Sequence, residues 1–447
     1  MQLPLLSLVV LGAGSLLPFA GCHAQAAGED SHGVGQFRVV PPPARPSSCT
    51  AVAAGTPLQP LLARLPAGAA LCLADGQYRG PLRITRPVTL WGKRGAVIRS
   101  DGIEGTTIAV RAAGSKLLGF TVDGSGPRYD RMDAAVLIEA DDVLVHGLNV
   151  VNALFGLLAH KCNRAVLRGN EVSGSTEGPI GMRGDGIRLW EVRDSLIEGN
   201  AMRNSRDLVI WYAPRNRILG NLVTHSRYGT HFMYSHDCDV EDNRFVDNVV
   251  GIFVMYSRKM TLRRNVLARG TGAAGMGLGL KEGGNIVAED NLIVGNTVGL
   301  YVDTSPLQKH EHNRYARNTF RFSDVAVMFH TDSTQNTFEE NTFADNDVQV
   351  QPQGGGDARG VTWRRNRFDD YQGYDLDGDG YGDVPYRLQS LSNELVGQYP
   401  NLAFLRGSMA IGMIDAASRL MPLYQPKVIL EDPRPRTGPV RRTCRAN

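Results

Sequence analysis

Three side chains with soft donor atoms recur in mid-chain at a spacing that could build a metal site. His231 and Met233 are two residues apart, and Met255 follows Met233 by 22 residues in a similar run of a glycine and apolar residues. Alternate residues of a β-strand face the same side, so equivalent positions of neighbouring strands would bring the three together. Thioether and imidazole donors suit copper(I). The sequence therefore makes His231, Met233 and Met255 a candidate copper(I) site.

A second candidate metal site is an Asp-rich stretch. Its carboxylates hold positions 1, 3, 5 and 9 of a calcium loop: Asp375, Asp377, Asp379 and Asp383. Gly380 holds position 6, but Tyr386 stands at position 12, where such loops carry a bidentate glutamate. Two interpretations remain open, a calcium site with an incomplete ligand set and an acidic turn that closes the fold.

The positions predicted to face outward around the candidate copper site are mostly aromatic, whereas the outer face of a soluble repeat protein should be polar. They include Arg188, Trp190, Tyr212, Tyr234, Phe253, Tyr256 and Tyr301. The same phasing puts Ile210 outside and Trp211 inside. Aromatic residues, Met and Arg are enriched at protein interfaces. Besides the copper site, a protein-binding face and a covering loop that turns the face into ordinary core are open explanations.

An enzyme is the alternative from another functional class. Acid–base chemistry on a carbohydrate needs paired carboxylates or a basic side chain near them. The candidates are scattered over different repeats: Asp185, Arg188, Asp207, His231, Lys281, Glu282 and Asp303. No Asp-Asp pair and no Arg-x-Lys beside a His occurs among them, so the sequence favours a protein that is not an enzyme.

A repeat must position all of these residues. Asparagines preceded by Gly, Asp, Arg or Glu recur every 21 to 30 residues: Asn170, Asn200, Asn221, Asn243, Asn265, Asn291, Asn318, Asn341 and Asn366. Between them lie short apolar runs without a helical period. The frame of a leucine-rich repeat is missing. The pattern predicts an all-β protein, a right-handed parallel β-helix over residues 70–370 whose asparagines stack from coil to coil.

The segments outside the solenoid are predicted from local composition. Residues 27–69 comprise a Pro-rich linker over residues 27–48 and then an N-terminal cap with a short helix at Leu58–Leu62. Residues 371–390 are the acidic loop, and residues 391–447 hold a C-terminal helix over 400–425 and a flexible tail in the last 20 residues. The helix carries Leu405, Met409 and Met413 on one apolar face.

The amino end is predicted to be an export signal. Residues 3–20 are apolar and uncharged, and Ala24-Gln25-Ala26 offers a cleavage site, so residues 1–26 form the signal peptide. Lipidation at Cys22 and an uncleaved anchor are the alternatives. Export permits disulfides, with Cys49 and Cys72 the best pair. A net charge of +3 and the absence of nucleic-acid-binding motifs give no indication of a nucleic acid partner.

Several phrases together resemble the NosD family of nitrous oxide reductase maturation proteins over about Ala70 to Pro435. They are Gly184-Asp185-Gly186-Ile187-Arg188-Leu189-Trp190, Arg206-Asp207-Leu208-Val209-Ile210-Trp211-Tyr212, Arg227-Tyr228-Gly229-Thr230-His231-Phe232-Met233-Tyr234 and the stretch Asp375 to Tyr386. The resemblance implies a β-helix and a periplasmic accessory protein, held at the inner membrane by an ABC-type ATPase and permease. With a copper-carrying lipoprotein, it would help assemble the copper sites of nitrous oxide reductase.

The resemblance also assigns provisional roles to two surfaces. It implies that the aromatic face with Met and His is a docking or copper-handover surface. It further implies that the helix with Leu405, Met409 and Met413 contacts the permease.

Overall fold

Strands of two to six residues, each ended by a tight turn, stack in parallel to form a solenoid of about 14 turns. The computed structural model describes residue 35 and residues 37–103, 105–330, 334–353, 357–389, 391–405, 408–410, 413–414, 417 and 426–438. The predicted signal peptide, Cys22 and Cys444 lie outside this part of the chain.

Three parallel sheets form the walls of the solenoid. Sheet 1 has 14 strands: Thr50–Val52, Ala69–Leu73, Val88–Gly92, Lys116–Leu118, Leu144–His146, Val166–Arg168, Leu196–Glu198, Arg217–Leu219, Asp239–Glu241, Thr261–Arg263, Val287–Glu289, Asn313–Ala316, Asn336–Glu339 and Thr362–Arg364. Sheet 2 has 13 strands: Gly76–Arg79, Ala96–Arg99, Thr121–Asp123, Asn149–Val151, Glu171–Ser173, Ala201–Arg203, Leu222–Thr224, Arg244–Val246, Val266–Ala268, Leu292–Val294, Thr319–Arg321, Thr342–Ala344 and Arg367–Phe368. Sheet 3 has 12 strands: Leu82–Ile84, Ile108–Val110, Ala134–Ile138, Phe155–His160, Ile187–Trp190, Asp207–Trp211, Tyr228–Met233, Val250–Met255, Met276–Lys281, Val298–Asp303, Val325–Phe329 and Val348–Pro352. The predicted all-β parallel solenoid is confirmed.

One continuous apolar core runs down the inside of the three sheets. In sheet 3, Leu189, Ile210, Phe232 and Val254 are register partners on consecutive strands, and each is almost fully buried. Burying one aliphatic or aromatic side chain contributes about 1.5–3 kcal/mol. Since every coil adds such residues, the solenoid is stabilised along its length by its own core.

The repeated asparagines form a buried ladder at the turns between sheets 1 and 2. All nine are at most 3% exposed. Asn221 is typical: its Oδ1 accepts hydrogen bonds from the backbone N and the Nδ2 of Asn200, each at 2.9 Å. Its own Nδ2 donates to the carbonyl of Ile197 at 2.9 Å and to Oδ1 of Asn243 at 2.9 Å. The side chain therefore satisfies backbone groups that the turn leaves without a sheet partner.

The amino end of the solenoid is covered by a short helix. The predicted cap helix is present as Leu58–Arg64, with Leu58 and Leu62 buried. The strand Thr50–Val52 already pairs with Ala69–Leu73, so sheet 1 begins before the predicted boundary at residue 70. Ile180–Met182 forms a short 3-10 helix in the loop before the Ile187–Trp190 strand.

The carboxyl end differs from the prediction. Tyr386–Gln389 pairs antiparallel with Val428–Asp432, and the helices are Leu391–Gln398 and the 3-10 helix Pro400–Leu405. Asp432 ends the asparagine ladder, because its Oδ2 accepts hydrogen bonds from N and Nδ2 of Asn366, both at 2.9 Å. The flexible tail predicted for the last 20 residues is thus wrong for residues 428–438. Of the predicted helix over 400–425, residues 409, 410, 413, 414 and 417 are helical, and most of the rest lies outside the described residues.

The linker interpretation is also wrong for residues 37–46, here named the strap. The strap is extended and crosses successive coils at the turns between sheets 1 and 2. Arg38 N donates to the Gly220 carbonyl at 2.9 Å, His146 Nε2 lies 3.0 Å from the Pro41 carbonyl, and Trp91 Nε1 donates to the Pro43 carbonyl at 3.2 Å. Gly220 has a φ of 60°, and an added Cβ there would lie within 3.0 Å of the Arg38 side chain. A glycine is therefore required where the strap crosses.

The cysteines follow the prediction. Cys49 and Cys72 form a disulfide, while Cys162 and Cys238 are free and buried in separate coils. Burial raises the pKa of both free thiols to about 12, which keeps them unreactive. Among the described residues, no helix is long and apolar enough to span a bilayer.

Candidate functional site

The outward side of sheet 3 carries the predicted site in two columns of register partners. One column is Arg188, Val209, His231, Phe253, Gly279 and Tyr301. The other is His160, Trp190, Trp211, Met233, Met255, Lys281 and Asp303. The columns place His231, Met233 and Met255 on two neighbouring strands, as the spacing predicts.

One strand is out of phase with the prediction. Ile210 packs into the core and Trp211 faces outward, paired with Trp190 and Met233, so the predicted inward Trp211 and outward Ile210 are wrong. Tyr212 is the residue after the strand and has a φ of 52°. It belongs to the turn, not to the sheet face.

His231 and Met255 are in direct contact. Nε2 of His231 lies 3.2 Å from Sδ of Met255, and His231 is only 7% exposed. Three rings enclose the imidazole: Tyr228 at 4.8 Å, Trp211 edge-on at 5.3 Å and Phe253 at 6.0 Å between ring centroids. The rings exclude water from a pair of soft donors.

The electrostatics keep this imidazole neutral. Burial lowers the pKa of His231 to about 4, so at neutral pH its ring has a lone pair free to bind a metal. Among the described residues, its Nδ1 is buried without a hydrogen-bond partner, as is Nε1 of the neighbouring Trp211. Buried polar atoms without partners are rare and point to a functional constraint.

These donors fit copper(I). An imidazole nitrogen and a thioether sulfur 3.2 Å apart can bind one ion, and soft ligands select the cuprous state. Met233 is the register partner of Met255 on the adjacent strand and is half-buried. It can supply a second thioether from the same column.

A column of tyrosines borders the site where sheet 3 ends. Tyr212, Tyr234 and Tyr256 all have a left-handed backbone, with φ between 51° and 52°. Their rings stack at 5.2 and 4.9 Å, and Trp190 continues the column 5.4 Å from Tyr212. Tyr212 and Tyr234 remain more than 40% exposed. Stacked rings of this kind form a rigid amphipathic surface.

Buried ion pairs border the site on the other side, and the sequence did not predict these pairings of Asp185 and Asp207 with arginines. Asp185 is fully buried, and its carboxylate accepts two hydrogen bonds from Arg206 and one from Arg188, at 2.9 to 3.1 Å. Asp207 is held by Arg227 in the same way one coil later. The detectable signal was a repeated Arg just before the apolar run, in Arg206-Asp207 and Arg227-Tyr228.

These arginines also contact the aromatic rings. Arg188 lies over Trp190 at 4.7 Å and over Trp211 at 5.4 Å, and Arg227 lies over Tyr228 at 4.7 Å. Arg206 contacts Tyr129, from the loop before the strand Ala134–Ile138. Such cation–π contacts fix the planes of the rings that surround His231.

Two of the candidate acid–base residues, Asp185 and Asp207, lie on either side of Arg206, whose guanidinium is 2.8 Å from Asp185 and 3.7 Å from Asp207. Asp185 and Asp207 are buried and bound by arginines, and burial raises the pKa of Asp185. Lys281 pairs with Asp303 at 3.6 Å. Glu282 lies in the turn that follows the strand Met276–Lys281, with a φ of 51°.

The Asp-rich loop gathers three of its four predicted ligands. Carboxylate oxygens of Asp375, Asp377 and Asp379 lie within 4.8 Å of one another. Asp383 instead accepts a hydrogen bond from the Leu376 backbone at 2.7 Å. Arg434 contacts Asp379, and Tyr386 at position 12 is buried. Calcium binding therefore stays a prediction.

The remaining predicted contact residues lie apart from this face or at its far end. Tyr301 is in register with Gly279, and its ring lies 6.1 Å from His330. Leu405 ends the 3-10 helix and is half-buried, while Met409 and Met413 are 83% and 65% exposed. Exposed methionines of this kind are available to a partner.

Comparison with known proteins identifies the relatives of this chain. A family model described as NosD, periplasmic copper-binding protein, matches residues 177–374, which include His231, Met233 and Met255. A protein of Pseudomonas aeruginosa named probable ABC transporter binding protein NosD is 27% identical over 385 residues, covering 79% of this chain and 85% of its own length. A protein of Stutzerimonas stutzeri with the same name is 27% identical over 383 residues, covering 79% and 83%.

Similar solved structures share the fold. The A-module of the mannuronan C-5 epimerase AlgE6 from Azotobacter vinelandii has a TM-score of 0.51 and 15% identity, covering 68% of this chain and 92% of that one. The GH87 alpha-1,3-glucanase of Streptomyces thermodiastaticus has a TM-score of 0.53 and 16% identity, covering 76% and 71%. At such identities the likeness extends to the β-helix alone.

Proposed function

This chain belongs to the NosD family, and from that premise we propose that it is a periplasmic accessory protein of an ABC-type complex, one that binds copper(I) at His231 and Met255 for the copper sites of nitrous oxide reductase. The family description as a periplasmic copper-binding protein supports the location and the metal. The name shared by both relatives supports an association with an ABC transporter.

The observation that carries the proposal is the contact between His231 and Met255. A neutral imidazole and a thioether 3.2 Å apart form a soft donor pair, enclosed by Trp211, Tyr228 and Phe253. His231 binds through nitrogen without having to lose a proton at neutral pH. Met255, with Met233 beside it, gives the preference for copper(I) over harder divalent ions.

Copper(I) titration against a competing chelator tests this site. We expect one copper(I) per chain in the wild type, and an affinity at least tenfold lower in His231→Ala and in Met255→Leu. His310→Ala and Met182→Leu are matched controls, because both side chains are exposed and neither belongs to a strand of sheet 3. Undiminished binding by the double variant His231→Ala/Met255→Leu would refute the site.

The exposed edge of the site is the docking surface in this proposal. Trp190 and the tyrosine column present aromatic edges, and the guanidinium of Arg188 lies over Trp190 and Trp211. Aromatic and Arg residues dominate the binding energy of many interfaces. A partner that docks here, such as the copper-carrying lipoprotein or the reductase, would meet the metal site directly.

Docking is tested by capture of the copper-carrying lipoprotein on immobilised protein. Tyr234→Ala/Tyr256→Ala should weaken capture at least tenfold, with copper(I) affinity within twofold of wild type. The control is Phe322→Ala, since Phe322 is 50% exposed but follows a strand of sheet 2. Equal capture by both variants would exclude the tyrosine column as the docking surface.

The contact with the permease is assigned to Leu405, Met409 and Met413. Deleting residues 400–447 would not test it cleanly, because the deletion removes Asp432 from the end of the asparagine ladder. Substituting the three residues with serine preserves Asp432. Retained binding of the permease by that variant would exclude this assignment.

The alternative function is a carbohydrate-active enzyme. It requires an acid and a base that face a sugar, whereas Asp185 and Asp207 are buried and paired with arginines. That arrangement supports a binding protein over an enzyme.

A further inference from the structure

Gly279 interrupts the column of side chains that contains His231. Its register partners on the two adjacent strands are Phe253 and Tyr301, and His231 precedes Phe253 in the column. Glycine inside a strand is less favourable than alanine, because its backbone loses more conformational freedom on folding. A glycine in this place therefore calls for a specific reason.

The backbone does not supply that reason. Gly279 lacks the positive φ that marks the glycines of the turns, so its conformation is open to alanine. Gly277 on the same strand is different, because an added Cβ there would approach the Gly299 carbonyl to 2.7 Å. At Gly279 the nearest atoms belong to a flexible side chain, the ring of Phe253.

The ring of Phe253 occupies the space above Gly279. A Cβ added to Gly279 would lie closer than 3.0 Å to two carbons of that ring, and 3.5 Å from Sδ of Met276. On its other side the ring is 5.7 Å from Tyr228 and 6.0 Å from His231, measured between centroids. Phe253 thus borders His231 with one side of its ring and extends over Gly279 of the next coil with the other.

We infer that Gly279 controls access to the His231–Met255 pair by giving the Phe253 ring a place on the neighbouring coil. A methyl group at position 279 pushes the ring back toward His231, where it covers the donor atoms. Gly279 is a positioning residue and Phe253 is the cover. The inference rests on the proposed function for its meaning, since the pair is then the copper(I) site.

Two readouts separate this inference from the proposed function. The first is the rate at which diethyl pyrocarbonate modifies His231, followed by peptide mass spectrometry, with His310 as the exposed internal reference. The second is the rate of copper(I) transfer from the loaded protein to a chelator. The first needs no copper, so it remains informative even if the wild type binds none.

The variants are Gly279→Ala, Phe253→Ala and the double variant. We expect Gly279→Ala to slow modification of His231 and copper(I) transfer at least fivefold, and Phe253→Ala to accelerate both. The double variant should behave like Phe253→Ala, because the ring that covers the site is gone. Gly181→Ala is the control, since nothing lies within 4 Å of a Cβ added there.

Wild-type modification rates in Gly279→Ala, or slow rates that persist in the double variant, would overturn the inference. If the modification rates change as expected while the wild type binds no copper(I), the access role stands and the proposed function fails. Thermal unfolding within a few degrees of wild type confirms that Gly279→Ala is folded.

Discussion

Replacing Asn243 with alanine should destabilise the protein by about 2–4 kcal/mol, although no apolar core is lost. The Asn243 side chain accepts from the Asn221 backbone N at 2.9 Å and donates to the carbonyls of Ile218 and Glu241 at 2.8 and 3.0 Å. After the substitution the buried backbone N–H of Asn221 loses Oδ1 of Asn243 as its acceptor. The carbonyls of Ile218 and Glu241 lose Nδ2 of Asn243 as a donor. Each buried unsatisfied group costs about 1–3 kcal/mol, partly relieved where a carbonyl keeps another donor.

Equilibrium urea unfolding measures this cost. Asn149→Ala is the matched control, because the side chain of that half-buried asparagine makes one hydrogen bond within the described part of the chain, from Nδ2 to Thr121 Oγ1 at 3.4 Å. We expect it to cost under about 0.5 kcal/mol, as surface substitutions usually do. If Asn243→Ala costs no more than Asn149→Ala at equal m-values, the ladder does not stabilise the coils as reasoned.

Three further predictions concern charge and metal. Between pH 6.5 and about 4, His231 binds a proton in the unfolded protein but not in the folded one. As the pH drops through this range, the free energy of unfolding of the wild type should therefore fall by about 3 kcal/mol more than that of His231→Asn. A difference between the two proteins that does not change with pH would contradict the buried neutral ring. Arg206→Met should cost about 3–5 kcal/mol because Asp185 is buried, whereas Arg215→Met at the solvent-exposed Asp194 pair should cost far less; equal costs in urea unfolding would refute this. Calcium should raise the melting temperature of the wild type but not of Asp375→Asn, and a shift equal in both would exclude the Asp-rich loop.

The repeat was predictable because its asparagines mark every coil at nearly constant spacing. A ladder of buried amides needs an asparagine at the equivalent turn of each coil, so the ladder is visible in the sequence as a regular spacing of asparagines. His231 and Met255 were predictable for the same reason, since equivalent residues of consecutive coils become register partners.

The phase of the Asp207–Trp211 strand was not predictable from its residues. Leu208, Val209, Ile210 and Trp211 are all apolar, so alternation gives no inward or outward signal. The phase is set by tertiary contacts, in which Trp211 pairs with Trp190 and Met233.

The strap and the carboxyl end were missed because their partners are distant in sequence. A Pro-rich composition predicts a linker whether or not the segment packs on the rest of the protein. The carbonyl of Pro41 makes its hydrogen bond with the ring of His146, 105 residues away in sequence. Asp432 likewise meets Asn366 across 66 residues. Composition reports local preference, and neither contact leaves a local pattern.

X-ray absorption at the copper edge of the protein loaded with one equivalent of copper(I) tests the central claim most directly. The account predicts scattering from one imidazole nitrogen and at least one sulfur, with the sulfur contribution reduced in Met255→Leu and the imidazole lost in His231→Ala. A first shell of nitrogen and oxygen alone, or one unchanged in both variants, would contradict the assignment of copper(I) to His231 and Met255.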